Sequence, residues 1–330
     1  MNEQLEKTLK GEKLSTEEAR ALMLAALQEP VKEAQVASLL TALTIHGVSV
    51  DELEGFVEAL LELSLLVDLG TTNLIDVCGT GGDGKGTFNI STATAFVLAA
   101  AGYKVAKHGN YAVSSSCGSS NVLEALGITL TNDEHRLRTI LANAGVCFLH
   151  APLFHPAMKL VAPVRKTLGF RTVFNMLGPL VNPARPSFQL NGVYNREIQR
   201  LYGYVLGRQG KRFATIHTTD GYDEVTLTAP VIVITDRGCH ELAPSDFGLS
   251  ATQPSDLTAG NTVEESAHIL RSILNGKGTS AQHDVVSASA GLTMWMKEGS
   301  GTLAEHVQRA RSIITSGEAA TILERSTTQL

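Results

Sequence analysis

The stretch Asp76-Val-Cys-Gly-Thr-Gly-Gly-Asp-Gly-Lys-Gly-Thr-Phe-Asn-Ile-Ser-Thr92 constrains this chain more than any other. Residues 74–77 read as a short apolar strand that enters a turn carrying Gly79, Gly81, Gly82, Gly84 and Gly86. The alanine-rich run TATAFVLAAAGY that follows reads as a helix closed by Gly102. A strand, a glycine turn and a helix N-terminus together form an anion cradle. Glycine lets the backbone approach a ligand closely, and free N–H groups and the helix dipole favour negative charge. Without a ligand, so many glycines in one loop would only add to the entropic cost of folding.

Two familiar phosphate motifs almost fit this loop. Gly79-Thr-Gly81-Gly-Asp-Gly84 matches GxGxxG, but a dinucleotide site wants an acidic residue at the end of the next strand. Here that strand runs into the basic Lys107-His108-Gly109-Asn110. Gly79-x-x-x-x-Gly84-Lys85 falls short of a Walker A loop, because Gly86 stands where Ser or Thr would bind magnesium. The loop is expected to bind phosphate in some other way.

Composition narrows the class. Of the 330 residues 43% are apolar and 18% charged, as in an ordinary soluble globular protein, and the net charge of −6 argues against a general nucleic-acid binder. Cys78, Cys117, Cys147 and Cys239 lie far apart with no CxxC spacing, which favours a reducing compartment over a disulfide framework or zinc site. The polar start MNEQLEKTLKGEKLS does not read as a signal peptide, and no apolar run is long enough to span a membrane. The expected location is the cytoplasm.

The first 70 residues read as helices, with capping-box patterns at Ser15-Thr-Glu-Glu18 and Ser49-Val-Asp-Glu52. After Gly70 strands and helices alternate, which implies a mostly parallel sheet. Strands are expected at 74–77, 104–107, 146–149, 190–193, 213–217 and 231–235. Helices are expected at 91–101, 120–126, 133–144, 156–168 and 197–209, with three more near 262–275, 281–297 and 302–323. FRTVFNMLGPLVNPARP interrupts the alternation and reads as a connector between lobes. The fold class is α/β: a small all-helical domain plus a larger α/β domain with a mostly parallel central sheet flanked by helices. The helical domain is expected at 1–70, joined by 156–185, and the α/β domain at 71–155 and 186–330.

Three further groups carry chemistry. Lys107-His108-Gly109-Asn110 follows a strand, so it stands at the carboxyl edge of the sheet, where open α/β folds bind ligands. Ser114-Ser-Ser-Cys-Gly-Ser119-Ser120 precedes a helix; Ser119 or Ser120 suffices to cap it, and the other hydroxyls suit phosphate oxygens. Asp223-Glu224 follows a strand and offers oxygen ligands for a magnesium ion shared with phosphate. Arg165 is suited to fork onto a carboxylate or phosphate, although Arg171, Lys159 and Lys166 compete for that role. Pro163 is expected to bend or restart its helix near Ala162.

The motifs CGTGGDGKGTFNIST, KHGN, SSSCGSSNVLEALG, FHPAMKLVAPVRKTLGFRTVFNMLGPLVNPA, DEVT and LAPSDFGL, in that order, resemble the anthranilate phosphoribosyltransferases over nearly the whole chain. The resemblance implies transfer of the 5-phosphoribosyl group from phosphoribosyl pyrophosphate to the amine of anthranilate, in tryptophan biosynthesis. It also implies a homodimer joined through the helical domain and a pair of magnesium ions per monomer, with no nucleic-acid or membrane partner. Carried over by motif, Gly79, Gly82, Asp83, Thr87, Asn89, Ile90, Ser91 and Thr92 hold phosphoribosyl pyrophosphate. Lys107, His108, Gly109, Asn110, Tyr111, Ala112, Val113, Ser114, Ser115 and Ser119 complete that site. Ser91, Asp223 and Glu224 bind the metal, while Gly79, Asn110 and Arg165, with His108 and His155 as walls, hold anthranilate. Asp83, Lys107 and Glu224 carry the catalytic charge work. Two positions depart from the family pattern: Tyr111 stands where Arg is frequent, and Asn121 where Asp is frequent. The rival readings are a pyrimidine nucleoside phosphorylase and an inactive nucleic-acid-binding relative.

Overall fold

A computed structural model describes residues 2–111 and 117–327, which form two compact units. One comprises the chain up to Val67 together with Ala151–Pro183; the other comprises Asp68–His150 and the chain from Ala184 onward.

The first unit is helical. Its main elements are Asn2–Leu9, Thr16–Ala26, Glu33–His46, Val50–Glu62 and Met158–Leu168. Both capping boxes form, with Ser15 and Ser49 as N-caps. Glu52 does more than cap. Its buried carboxylate accepts from Ser49 N at 2.7 Å and from Leu14 N at 3.2 Å, which ties the entry of helix Val50–Glu62 to that of helix Thr16–Ala26. Those two helices pack so closely that a Cβ on Gly55 would lie 2.3 Å from Thr16 O. Main-chain bonds from Leu65 N to Phe154 O and from Val67 N to Pro183 O hold the later segment in the same unit. Pro163 lies inside an unbroken helix, Met158–Leu168, contrary to the expected restart. That helix begins two residues after Pro156, and only Val161 and Val164 of it are buried.

The second unit is built on a seven-stranded sheet, among the described residues. Its strands are β1 (Leu74–Gly79), β2 (Lys104–Gly109), β3 (Val146–His150), β4 (Phe188–Gly192), β5 (Arg212–Thr218), β6 (Val231–Thr235) and β7 (Gly238–Leu242). The spatial order is β3-β2-β1-β4-β5-β6-β7, parallel from β3 to β5 and antiparallel beyond. Odd residues of β1 and their neighbours (Ile75, Val77, Val105, Phe188, Leu190, Ala214, Ile216) join the main core with Phe96 and Leu98 of helix Ile90–Ala100. The opposite face is buried but polar, carrying Asp76, Gln189, Asn191, Thr215 and His217. Helix Arg196–Arg208 serves part of it, since Gln199 Nε2 donates to Thr215 O at 2.8 Å and Ile232 O at 2.7 Å. Asn191 Nδ2 donates to Cys78 O at 3.3 Å, while its buried Oδ1 has no partner among the described residues. The six expected strands are present, with that at 190–193 beginning earlier, at Phe188. β7 was not anticipated: its sequence, GCHEL, is polar and lies exposed at the sheet edge. No described helix is long and apolar enough to cross a membrane.

Candidate active site

The parallel strand order reverses between β1 and β4, and in open α/β sheets the crevice beyond such a switch point is where ligands bind. Three segments meet there. The loop after β1 starts with Thr80, whose N–H donates to Gly192 O at the end of β4 at 2.8 Å. Gly81 N donates to Asp223 Oδ2 at 2.7 Å, and Ser91 N, in the first turn of helix Ile90–Ala100, donates to Glu224 Oε1 at 3.2 Å. The carboxylates that follow β5 are therefore held by the glycine loop and by the helix it feeds.

Close approach explains the glycines that border this junction. A Cβ on Gly79 would lie 2.8 Å from Asp223 Oδ2. On Gly192 it would lie 1.7 Å from the Asp223 carbonyl oxygen, so no side chain fits there. Farther along the loop, Gly81, Gly82, Gly84 and Gly86 all have φ between +63° and +77°, the left-handed region that favours glycine. The loop tip is strapped to residues 257–259: Phe88 N donates to Leu257 O, Ala259 N to Gly86 O, and Thr87 bridges Thr258. Asn89 is the N-cap residue without a side-chain capping bond, and Ile90 is fully buried, so Ile90 offers the site only its main chain. Thr92 is buried, and its hydroxyl has no hydrogen-bond partner among the described residues.

Charge is concentrated at the junction. Burial pushes the Asp223 carboxyl well above the usual carboxylate range, and the adjacent charges of Glu224 and Asp83 push it further. Glu224 is pushed up to about 7 by burial, against the pull of the Lys107 ammonium and the Ser91 N–H. Asp83 accepts from Lys85 N through Oδ1 at 2.9 Å, and its buried Oδ2 has no hydrogen-bond partner among the described residues. Three acidic groups held together beside a single ammonium are suited to a further cation.

Lys107 is buried at the carboxyl end of β2 and donates to Val77 O at 2.5 Å. His108 is also buried, and its main-chain N–H donates to Asp76 Oδ1. A Cβ on Gly109 would lie 2.6 Å from Ser119 Oγ, which itself donates to Asn110 O at 3.3 Å. Gly118, and neither serine, is the N-cap of helix Ser119–Ala125, with Asn121 Oδ1 accepting from Gly118 N. Ser120 instead pairs with His150 Nδ1 at 2.8 Å. Tyr111 stacks edge-on against His150 and donates to Glu124 Oε1 at 3.1 Å, so its ring and hydroxyl are engaged locally. Ala112, Val113, Ser114 and Ser115 lie outside the described residues.

Comparison with known proteins is decisive on this fold. The glycosyl transferase family's helical bundle domain matches residues 2–64, and its a/b domain matches residues 71–320. The anthranilate phosphoribosyltransferase of Cytophaga hutchinsonii is 48% identical over 319 residues, 97% of each chain. The chain belongs to the anthranilate phosphoribosyltransferases. The crystal structure of the member from Thermus thermophilus superposes with a TM-score of 0.92 at 38% identity, over 98% of each chain. The Saccharomyces cerevisiae anthranilate phosphoribosyltransferase, in complex with PRPP and Mg, also gives 0.92, at 28% identity, over 100% of this chain and 98% of that one. The same yeast enzyme in complex with 4-fluoroanthranilate gives 0.87, at 28% identity, over 99% and 96%.

Two of the residues expected at an anthranilate phosphoribosyltransferase site lie in the helical unit. Arg165 sits on helix Met158–Leu168 with its guanidinium 5.2 Å from the Phe174 ring centroid, and burial lowers its pKa. His155 is buried, and burial holds its imidazole down to about 4. The remaining described candidates lie in the α/β unit. Sequence reading left out Gly192: a lone glycine at a strand end carries no sign that a chain segment will press on it.

Proposed function

We propose that this protein transfers the 5-phosphoribosyl group from phosphoribosyl pyrophosphate to the amine of anthranilate and releases pyrophosphate. The observation that carries the reading is the Asp223-Glu224 pair, hydrogen-bonded to Gly81 N of a glycine loop and to Ser91 N of the helix it feeds, at the sheet's switch point. The loop's N–H groups and the N-terminus of helix Ile90–Ala100 suit the phosphates of the donor. Lys107 supplies a fixed positive charge at the neighbouring strand end. Asp83, Lys107 and Glu224 are assigned the charge work, and Asn110, Arg165, Gly79, His108 and His155 the anthranilate.

The carboxylates fit magnesium, which the yeast relative binds with PRPP. Ser91, Asp223 and Glu224 would hold it, two ions per monomer being the full complement proposed. When bound, the metal neutralises charge on the departing diphosphate.

In the reaction the amine lone pair forms the bond to ribose C1 on the face opposite the diphosphate. The C1–O bond breaks, its electron pair leaves with the diphosphate, and the nitrogen sheds a proton to solvent. Configuration at C1 inverts. An aromatic amine is unprotonated at neutral pH, so the chain needs no strong general base. Its residues supply electrostatic stabilisation and orientation.

The exposed Leu9 and Ile45, on helices Asn2–Leu9 and Glu33–His46, support a homodimer through the helical unit, and four free cysteines support the cytoplasm. The deciding experiment is loss of anthranilate fluorescence on adding phosphoribosyl pyrophosphate, with magnesium and with a chelator. Magnesium-dependent loss is expected. Folded protein that shows none with both substrates, and instead cleaves pyrimidine nucleosides with inorganic phosphate, would replace this reading with phosphorolysis.

A further inference from the structure

The tip of the glycine loop carries one cation that no motif accounts for. Lys85 stands between Gly84 (φ +75°) and Gly86 (φ +64°), and its side chain is exposed. Its main-chain N–H donates to Asp83 Oδ1 at 2.9 Å, which fixes its Cα beside a residue of the proposed donor site. From there the stem crosses Gly221, where an added Cβ would come within 3.6 Å of Lys85 Cε. The ammonium ends 4.8 Å from the ring centroid of Tyr222, the buried residue that precedes Asp223.

That resting place is unusual for its surroundings. The charges of Asp220 and Asp83 act on Tyr222, yet among the described residues no carboxylate oxygen lies within 4.0 Å of Lys85 Nζ. The ammonium rests on an aromatic face instead, a weak hold at an exposed site. A lysine is a compact charge on a flexible four-carbon stem, able to leave such a perch for a stronger anion. The stem starts on the loop proposed above to take the donor's phosphates, beside carboxylates that suit a divalent cation.

We propose that Lys85 is a ligand of the donor's diphosphate, and that Tyr222 parks its ammonium beside the site until the diphosphate arrives. The proposal rests on the phosphoribosyl-transfer reading and adds a residue to it. Lys85 touches substrate; Tyr222 only positions Lys85. No bond forms or breaks at either.

The test uses the full chain with Lys85→Met, Lys85→Arg and Tyr222→Leu, each checked by thermal melting. Lys85→Met is expected to raise KM for phosphoribosyl pyrophosphate about tenfold and to weaken pyrophosphate binding, measured by calorimetry with magnesium, by a similar factor. The kcat should fall far less, Lys85→Arg should recover most of the affinity, and Tyr222→Leu should change both constants less than Lys85→Met. If Lys85→Met shifts neither constant by twofold, Lys85 is not a ligand. If Tyr222→Leu raises KM as much as Lys85→Met, the pair merely staples the loop, and the proposal also fails. Wild-type protein that turns over no anthranilate would remove the function reading instead, while pyrophosphate binding by wild type and Lys85→Met would still test the lysine.

Discussion

A methyl group on Gly192 has nowhere to go. Its nearest neighbour would be the Asp223 carbonyl oxygen at 1.7 Å, main chain that cannot rotate away as a side-chain tip could. Gly192→Ala must therefore shift the segment that carries Asp223 and Glu224. A displacement of about 1 Å costs on the order of 100-fold in rate, so kcat/KM should fall by about that factor in a variant that still folds. Steady-state kinetics beside a melting curve will show it, and wild-type rates would refute the positioning role. Charge sets the next expectation. Glu224→Ala should lower kcat/KM about 100-fold or more, whereas His108→Ala, which removes no strong base, should cost less. The reverse order would overturn the assignment of roles. Arg165→Ala should raise the anthranilate KM about 10- to 100-fold through loss of a charge-assisted hydrogen bond, with the KM for phosphoribosyl pyrophosphate moving much less. A normal anthranilate KM would remove Arg165 from the carboxylate.

At the scale of elements, the stretches that hold the candidate site differ in how much of their structure is local. The glycine loop was legible as a strand–turn–helix unit because its parts are consecutive in sequence. Its strap to residues 257–259 was not legible, since nothing in Leu257-Thr-Ala names a partner so distant along the chain. β7 escaped notice because an exposed edge strand has no apolar alternation to reveal it. Pro163 misled for the opposite reason: the local rule is real, but the packing of Val161 and Val164 overrides it. The turn at Ala151–Phe154 and the start of the next helix give a test that reads stability. His155, between them, is buried and its imidazole is held at about 4, below the ordinary 6.5. Between those values the unfolded chain takes up a proton that the folded chain refuses. Stability is therefore full above about 6.5 and declines as pH falls toward 4, by on the order of 3 kcal/mol for this group. His155→Gln should flatten the fall in unfolding midpoint over that window; an unchanged slope would show that other groups cause it.

At the scale of the whole molecule, two units are assembled from a chain that visits the helical one twice. Ile45 is 71% exposed on helix Glu33–His46, an unusual position for so large an aliphatic side chain in a monomer. If the helical unit joins two copies, Ile45→Asp should halve the mass seen by light scattering at micromolar concentration, with the monomer still folded. An unchanged mass would locate any interface elsewhere. The sequence by itself determined the fold class, the glycine loop between strand and helix, and the family, because periodicity, glycine spacing and contiguous motifs are properties of neighbouring residues. Only the tertiary structure decided why Gly192 must be glycine, that Asp223 and Glu224 are anchored on Gly81 and Ser91, and that Lys85 rests on Tyr222. Those facts depend on residues far apart in the chain meeting at one sheet edge, and no local pattern encodes the distance between them.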